Sequence, residues 1–452
     1  MIVWTVSIAA VLTSRAAEQG GSIEVGLAAR DITPEGPIWL AGYAGRKRPS
    51  DNVDSPLMAG ACAIKGVNGE RVVFISLDNC EVSREITDPV LRELSARHSL
   101  KPGAVMIVSS HTHSAPVVRG PLMPMYDLTP SEFERVEKYG RLLIRKLLEV
   151  AGAALADFKP SHLEHGIGRA TFAMNRRVYK GDKVDFGENP DGPVDWDVPV
   201  LKIVGTNGAV RGILFGYACH GTSIAGEDFF TVSGDYMAYA RQHLEAHYPG
   251  AIALYFTGMG ADSNPSPRGS LLDSKRHGLE LAGVAAGVLG RPMRPVRGDL
   301  KLAYEEVDLP LHAPPAREQL ENDAKSSDFH LRSRAQGYLK ILNEGKSLSV
   351  SVKLPLSAIR IGDDLTFIAM GGEVVVDYAT RFKRLYAADR PWLIGYAYEV
   401  PCYIPSVRIL KEGGYEADSS LIYYGIYGPF QTSVERILTE QMTKLVESVR
   451  GR

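Results

Sequence analysis

What this chain has little of narrows the field first. Its 51 Lys and Arg nearly balance 53 Asp and Glu, leaving a formal net charge of -2. Without a positive excess there is no electrostatic footprint for nucleic acid or for an anionic bilayer surface. Cysteine is scarce: Cys62, Cys80, Cys219 and Cys402 are widely separated and show no C-x-x-C spacing. That excludes a zinc ribbon and a dithiol redox motif. Buried free thiols are the default expectation, with a Cys62 to Cys80 disulfide as the alternative if the chain is exported. No apolar run of about eighteen residues occurs, so no transmembrane helix is expected. Low-complexity linkers, long charge runs and internal repeats are also absent, which argues for one large unit over a string of small ones.

What is present begins with an apolar N-terminus rich in small residues, Met1 to Ala17. It resembles a secretory leader cleaved after Ala16 or Ala17, although no basic side chain precedes its apolar part. A leader over 1–17, a single domain over 22–452 and export to the periplasm or the exterior are the expectation. Hydrophobic content of 45% and charged content of 23% are ordinary for a globular protein. Apolar runs at 71–77, 105–108, 198–204, 212–217, 251–256 and 365–370 read as strands, and periodic stretches at 88–97, 132–155, 236–247, 274–288, 316–342 and 433–449 as helices. The charged stretch at 316–342 reads as a solvated helical face or a hairpin. Strands and helices alternate through the first two thirds. This predicts an α/β fold of mixed, largely parallel sheets flanked by helices.

Two of the strands run into histidines. Val105-Met-Ile-Val-Ser-Ser-His-Thr-His-Ser114 ends with His111 and His113 spaced i, i+2, which strand alternation places on one face. Gly212-Ile-Leu-Phe-Gly-Tyr-Ala-Cys-His-Gly-Thr-Ser223 repeats the arrangement with His220. Imidazole is a frequent zinc donor, and strand ends are where functional groups of α/β proteins gather. On these residues alone the alternatives stay open: a hydrogen-bonded H-x-H pair at the surface, and a packed His220 satisfied by a carbonyl.

The sequence resembles the neutral (non-lysosomal) ceramidases, which are zinc-dependent amidases. The resemblance runs, in the family's order, through Val25-Gly-Leu-Ala-Ala-Arg-Asp-Ile-Thr-Pro34, Leu40-Ala-Gly-Tyr43, the H-T-H segment, Met174-Asn-Arg-Arg177, the H-G-T-S segment, Val232-Ser-Gly-Asp-Tyr236, Gly372-Glu373, Tyr415-Glu-Ala417 and Tyr427-Gly-Pro429. It implies a single zinc-dependent hydrolase domain with zinc held by His111, His220, Glu373 and Tyr403, the last standing twelve residues before Tyr415. A phenol titrates near 10, and a dication favours its phenolate, so a tyrosine ligand is chemically reasonable. His113, Arg176 and Tyr415 are implied as the groups that shuttle protons and steady a developing oxyanion. Arg176 is preferred to Arg177 only on motif position, and His113 has an alternative role in orienting a ligand.

Ser263 matches the serine of a family loop to which a nucleophilic role has been ascribed. A zinc-activated water makes a serine nucleophile unnecessary, and no G-x-S-x-G elbow surrounds it. The alternative is a glycine-rich turn lining the site, with Asp262 or Ser263 capping a following helix. The implied reaction is hydrolysis of an N-acyl (amide) bond of a lipid or small molecule by a metal-activated water. Two departures bear on substrate. The C-terminal immunoglobulin-like domain of the family is not matched, and Ala115-Pro116-Val117-Val118 replaces the usual Gly-Pro-Gly, which is expected to alter the pocket. A zinc-dependent esterase or lactonase acting on a smaller acyl substrate is the second reading, and a secreted zinc-binding protein without activity the third. Iron or manganese would also suit the ligand set, and peripheral membrane contact stays open.

Overall fold

Residues 22–181 and 183–451 are described by a computed structural model; the expected leader at 1–17 lies outside them. Among the described residues no helix is long and apolar enough to cross a membrane. The longest sheet has nine strands. Its order is Ile252–Thr257, Val210–Tyr217, Asp197–Gly205, Lys159–Arg169, Glu24–Asp31, Met58–Lys65, Arg71–Leu77 and Val105–Ser109, with Arg294–Val296 added beside Lys159–Arg169.

The mixed α/β class holds, but the expectation of largely parallel pairing does not. Only the two ends of the sheet are parallel, Val210–Tyr217 with Ile252–Thr257 and Arg71–Leu77 with Val105–Ser109. Each of these pairs is joined by a crossover helix, Asp235–His247 or Arg84–His98, as parallel neighbours require. The pairings between the two ends are antiparallel, and two of them, Met58–Lys65 with Arg71–Leu77 and Asp197–Gly205 with Val210–Tyr217, are hairpins closed by the short turns 66–70 and 206–209.

Alternation along the inner strands sorts side chains to two faces. Ala59, Ala61, Ala63, Val73 and Ile75 pack under helices Arg84–His98 and Pro130–Ala156. Cys62, Ile64, Val72 and Phe74 face a second sheet of order Leu300–Pro310, Ser351–Ile361, Leu365–Met370 and Trp392–Ile394. The 316–342 stretch forms two helices, Arg317–Asp323 and Phe329–Asn343, the hairpin alternative. All four cysteines are free and buried. Cys62 lies between the sheets and Cys80 in a separate apolar cluster, so the disulfide alternative is not realised.

Candidate metal centre and active site

Four chain segments are brought together as two backbone-paired couples. Thr112 bridges Gly221 in parallel, with His113 N–H donating to the Gly221 carbonyl at 2.9 Å and Gly221 N–H to the His111 carbonyl at 3.2 Å. A Cβ at Gly221 would stand 2.6 Å from the His111 carbonyl oxygen, so this approach needs glycine. On the far side, Glu373 and Tyr403 are register neighbours in a two-residue parallel pair. The i, i+2 histidines converge, though not by strand alternation. The strand ends at Ser109, and His111 adopts a left-handed φ of 61°, a conformation uncommon for non-glycine residues.

The side chains meet at short range. Glu373 Oε2 lies 3.1 Å from His111 Nε2 and 3.2 Å from His220 Nε2. His220 Nε2 is 3.0 Å from the Tyr403 hydroxyl, and His113 Nε2 is 3.1 Å from His111 Nε2. His111 Nδ1–H donates to the Cys80 carbonyl at 2.6 Å, which orients the ring with Nε2 towards Glu373. Burial, then Arg176 and His111, push His220 down to about 3, so it is neutral at pH 7. Burial raises the Glu373 carboxyl, but the His111 and His220 imidazoles outweigh it and hold the group well below the usual carboxylate range. Glu373 Oε2 thus lies between the Nε2 atoms of two histidines and has no other hydrogen-bond partner. A buried cation satisfies all three atoms, and their types suit zinc. A rival grouping of Cys80, His111 and His113 also exists. It is the weaker ligand set, because burial raises the Cys80 thiol well above its usual range and keeps it protonated.

Around these groups stand the remaining implied residues. Arg176 is buried at 5% exposure and donates to the Tyr403 hydroxyl at 3.0 Å, to Asn264 Oδ1 at 3.2 Å and to Glu416 at 2.8 Å. Arg177 points elsewhere, bracing Glu416 at 2.6 Å and Glu412 at 3.0 Å. Of the two arginines, Arg176 is the one within hydrogen-bond reach of Tyr403. Burial, then His111 and His220, push His113 well below its ordinary value, and its Nδ1 is packed under Gly42. Tyr415 lines a cavity of about 500 Å³ together with His113, Arg176, Tyr403, Thr222 and Asn264. Tyr43, Met125, Met174, Phe186 and Tyr423 form its apolar walls.

Ser263 is beside His220 through its backbone, its carbonyl accepting the His220 N–H at 3.1 Å. Its hydroxyl is fully buried and unpartnered, and Asn264, not Ser263, lines the cavity. Nor does Asp262 cap a following helix: its carboxylate accepts from Val376 N at 2.9 Å, at the start of the distant helix Val376–Leu385. Ala115, Val117 and Val118 are buried in the core and line no part of the cavity, so that departure does not reshape it directly. Sequence reasoning missed Glu416, although it sits inside the Tyr415-Glu-Ala417 motif. It also missed Tyr424, which no motif marks.

With this geometry in place, comparison with known proteins is informative. The sequence profile described as "Neutral/alkaline non-lysosomal ceramidase, N-terminal" matches residues 23–258, more than half of the chain. A neutral ceramidase of Oryza sativa subsp. japonica is 26% identical over 49% of this chain and 28% of its own length. Neutral ceramidase 1 of Arabidopsis thaliana is 26% identical over 60% of this chain and 36% of its own. The chain thus spans about a third of the length of these plant relatives. The crystal structure of neutral ceramidase from Pseudomonas aeruginosa superposes with a TM-score of 0.72 at 21% identity, covering 95% of this chain and 75% of that one, which establishes a common fold. Profile and fold agree with the order of motifs along the sequence, and the chain belongs to the neutral/alkaline non-lysosomal ceramidase family.

Proposed function

We propose that this chain is a zinc-dependent hydrolase that cleaves an N-acyl bond, ceramidase-like in chemistry, with its catalytic domain over 22–452. The observation that carries the reading is the convergence of His111 Nε2, His220 Nε2 and Glu373 Oε2 within 3.1 to 3.2 Å, beside the Tyr403 hydroxyl and under an open cavity. These four residues would hold the ion. Bound there, zinc supplies a Lewis acid that polarises an acyl carbonyl and acidifies water near neutral pH.

The protein's own groups do the rest. His113 is neutral at pH 7 and turns Nε2 towards the centre, so it accepts a proton there and returns it to the leaving amine. Burial keeps the Tyr415 phenol protonated as a donor. Arg176, fixed by Glu416, Asn264 and Tyr403, adds a charged donor for the developing oxyanion. Ser263 has no chemical part in this reading.

A cavity of about 500 Å³ lies within the range that encloses a small molecule. This size supports a second reading, an esterase or lactonase acting on a compact acyl substrate. Secretion or periplasmic export after removal of 1–17 belongs to the same proposal and is checked by sequencing the mature N-terminus. The deciding experiment is hydrolysis of ceramides, short N-acyl amides, esters and lactones before chelation, after it, and after add-back of zinc, manganese or iron. Zinc-restored ceramide turnover supports the first reading, and turnover of small acyl substrates alone the second. Metal uptake without any turnover would identify a non-catalytic binding protein.

A further inference from the structure

The two oxygens of Glu373 have different surroundings. Oε2 faces His111 and His220, whereas Oε1 accepts a hydrogen bond from the Tyr424 hydroxyl. Tyr424 is 7% exposed, and its ring stands edge-on to Tyr403 with centroids 6.3 Å apart. The tyrosine also forms part of the wall of a second cavity of about 720 Å³, with Pro124, Tyr338 and Pro401, and it is not among the residues lining the first cavity.

From this arrangement we infer that Tyr424 is a positioning residue for the candidate metal centre: its O–H holds Oε1 so that Glu373 offers Oε2 alone between the two imidazoles. The inference rests on the metal reading above. The terminal torsion of glutamate is soft, so an untethered carboxylate would turn and offer either oxygen or both, and ligation would have to arrest that motion. A tyrosine suits the task because it donates without a formal charge. Lysine or arginine in its place would compete with the cation for the carboxylate. Tyr403 and Tyr424 therefore have opposite duties. Tyr403 accepts from Arg176 at 3.0 Å and lies 3.0 Å from His220 Nε2, while Tyr424 presents hydrogen to Glu373.

The test is zinc affinity of the full chain, stripped by dialysis and titrated against a competing chelator of known strength. Four proteins are compared: the parent, Tyr424→Phe, Glu373→Ala and the double variant. Loss of a group that orients a metal ligand weakens binding by about 10- to 100-fold, and Tyr424→Phe is expected to fall in that range with the melting temperature of the stripped protein unchanged. In the Glu373→Ala background the same substitution should change nothing further, which a purely structural role would not produce. Equal affinity of the parent and Tyr424→Phe, or an equal loss in both backgrounds, overturns the inference while leaving the metal reading intact. A parent that takes up no zinc overturns both. Should Tyr424→Phe fail to fold, Tyr424→Leu in the same cycle gives the same readout.

Discussion

Gly221 is the point at which the two histidine segments touch, and a methyl group there would meet the His111 carbonyl oxygen and Met237 Cε, each at 2.6 Å. The backbone contact has no flexible end to give way. Gly221→Ala is therefore expected to destabilise the protein by about 1–3 kcal/mol and to spread the histidines apart, measured as a lower urea midpoint together with weaker zinc uptake. Gly283 is the control: it is exposed within the helix Leu271–Leu289 with nothing near a built Cβ, and Gly283→Ala should stabilise by up to about 1 kcal/mol. The same contrast between supported and unsupported change applies to charge. Glu416 holds Arg176 at 2.8 Å and Arg177 at 2.6 Å, with all three side chains buried. Glu416→Gln leaves two guanidinium groups facing a neutral amide, and a loss of about 3–5 kcal/mol is expected, read from denaturant unfolding of the metal-free protein.

Whole elements were legible in the sequence where apolar periodicity was strong and opaque where small residues carried the packing. Val105–Ser109, Val210–Tyr217 and Leu365–Met370 are fully or largely buried runs that announce themselves as strands, and their ends led directly to His111, His220 and Glu373. Glu24–Asp31 and Met58–Lys65 passed unread because alanine and glycine are poor strand formers. They are small for a reason that only the fold supplies. A Cβ at Gly26 would stand 1.8 Å from the Ala154 carbonyl of the covering helix, and one at Gly60 would stand 2.1 Å from Leu254. Missing those inner strands is what made the sheet read as parallel. The hairpin Ala173–Lys180 and Lys183–Asn189 was likewise unread, yet it carries Arg176 and one wall of the cavity. Phe186 is 54% exposed, packs at a tilt against Tyr415 with centroids 4.8 Å apart and covers the Arg176 guanidinium at 5.0 Å. A side chain left this open on a hairpin serves the ligand more than the core. Phe186→Ala is expected to raise KM for an N-acyl substrate about 2- to 10-fold with kcat, zinc affinity and melting temperature nearly unchanged. A change in melting temperature with KM intact would instead assign Phe186 to folding.

At the scale of the molecule, the join between the two sheets sets how the fold responds to acid. His165, in Lys159–Arg169 of the large sheet, stacks on Trp392 of the second sheet at 6.1 Å with an interplanar angle of 28°. Its Nε2 is buried without a partner. Burial, then Arg294 and Arg390, push it down to about 4, while a histidine in an unfolded chain titrates near 6.5. Between those values the unfolded chain takes up a proton that the folded chain refuses. Stability contributed at neutral pH is therefore lost as pH falls from about 6.5, at about 1.4 kcal/mol per pH unit, until the folded group itself titrates. His220, held down to about 3, acts with the same sign in metal-free protein. Acidification from pH 7.5 to 5 should therefore cost the stripped protein about 2 kcal/mol for each of the two histidines. His165→Phe preserves an aromatic ring against Trp392 and removes the titration. Urea unfolding at the two pH values should show the variant losing about 2 kcal/mol less than the parent. Equal losses would mean that His165 already carries its proton in the folded state, and that the seam between the sheets is open to water.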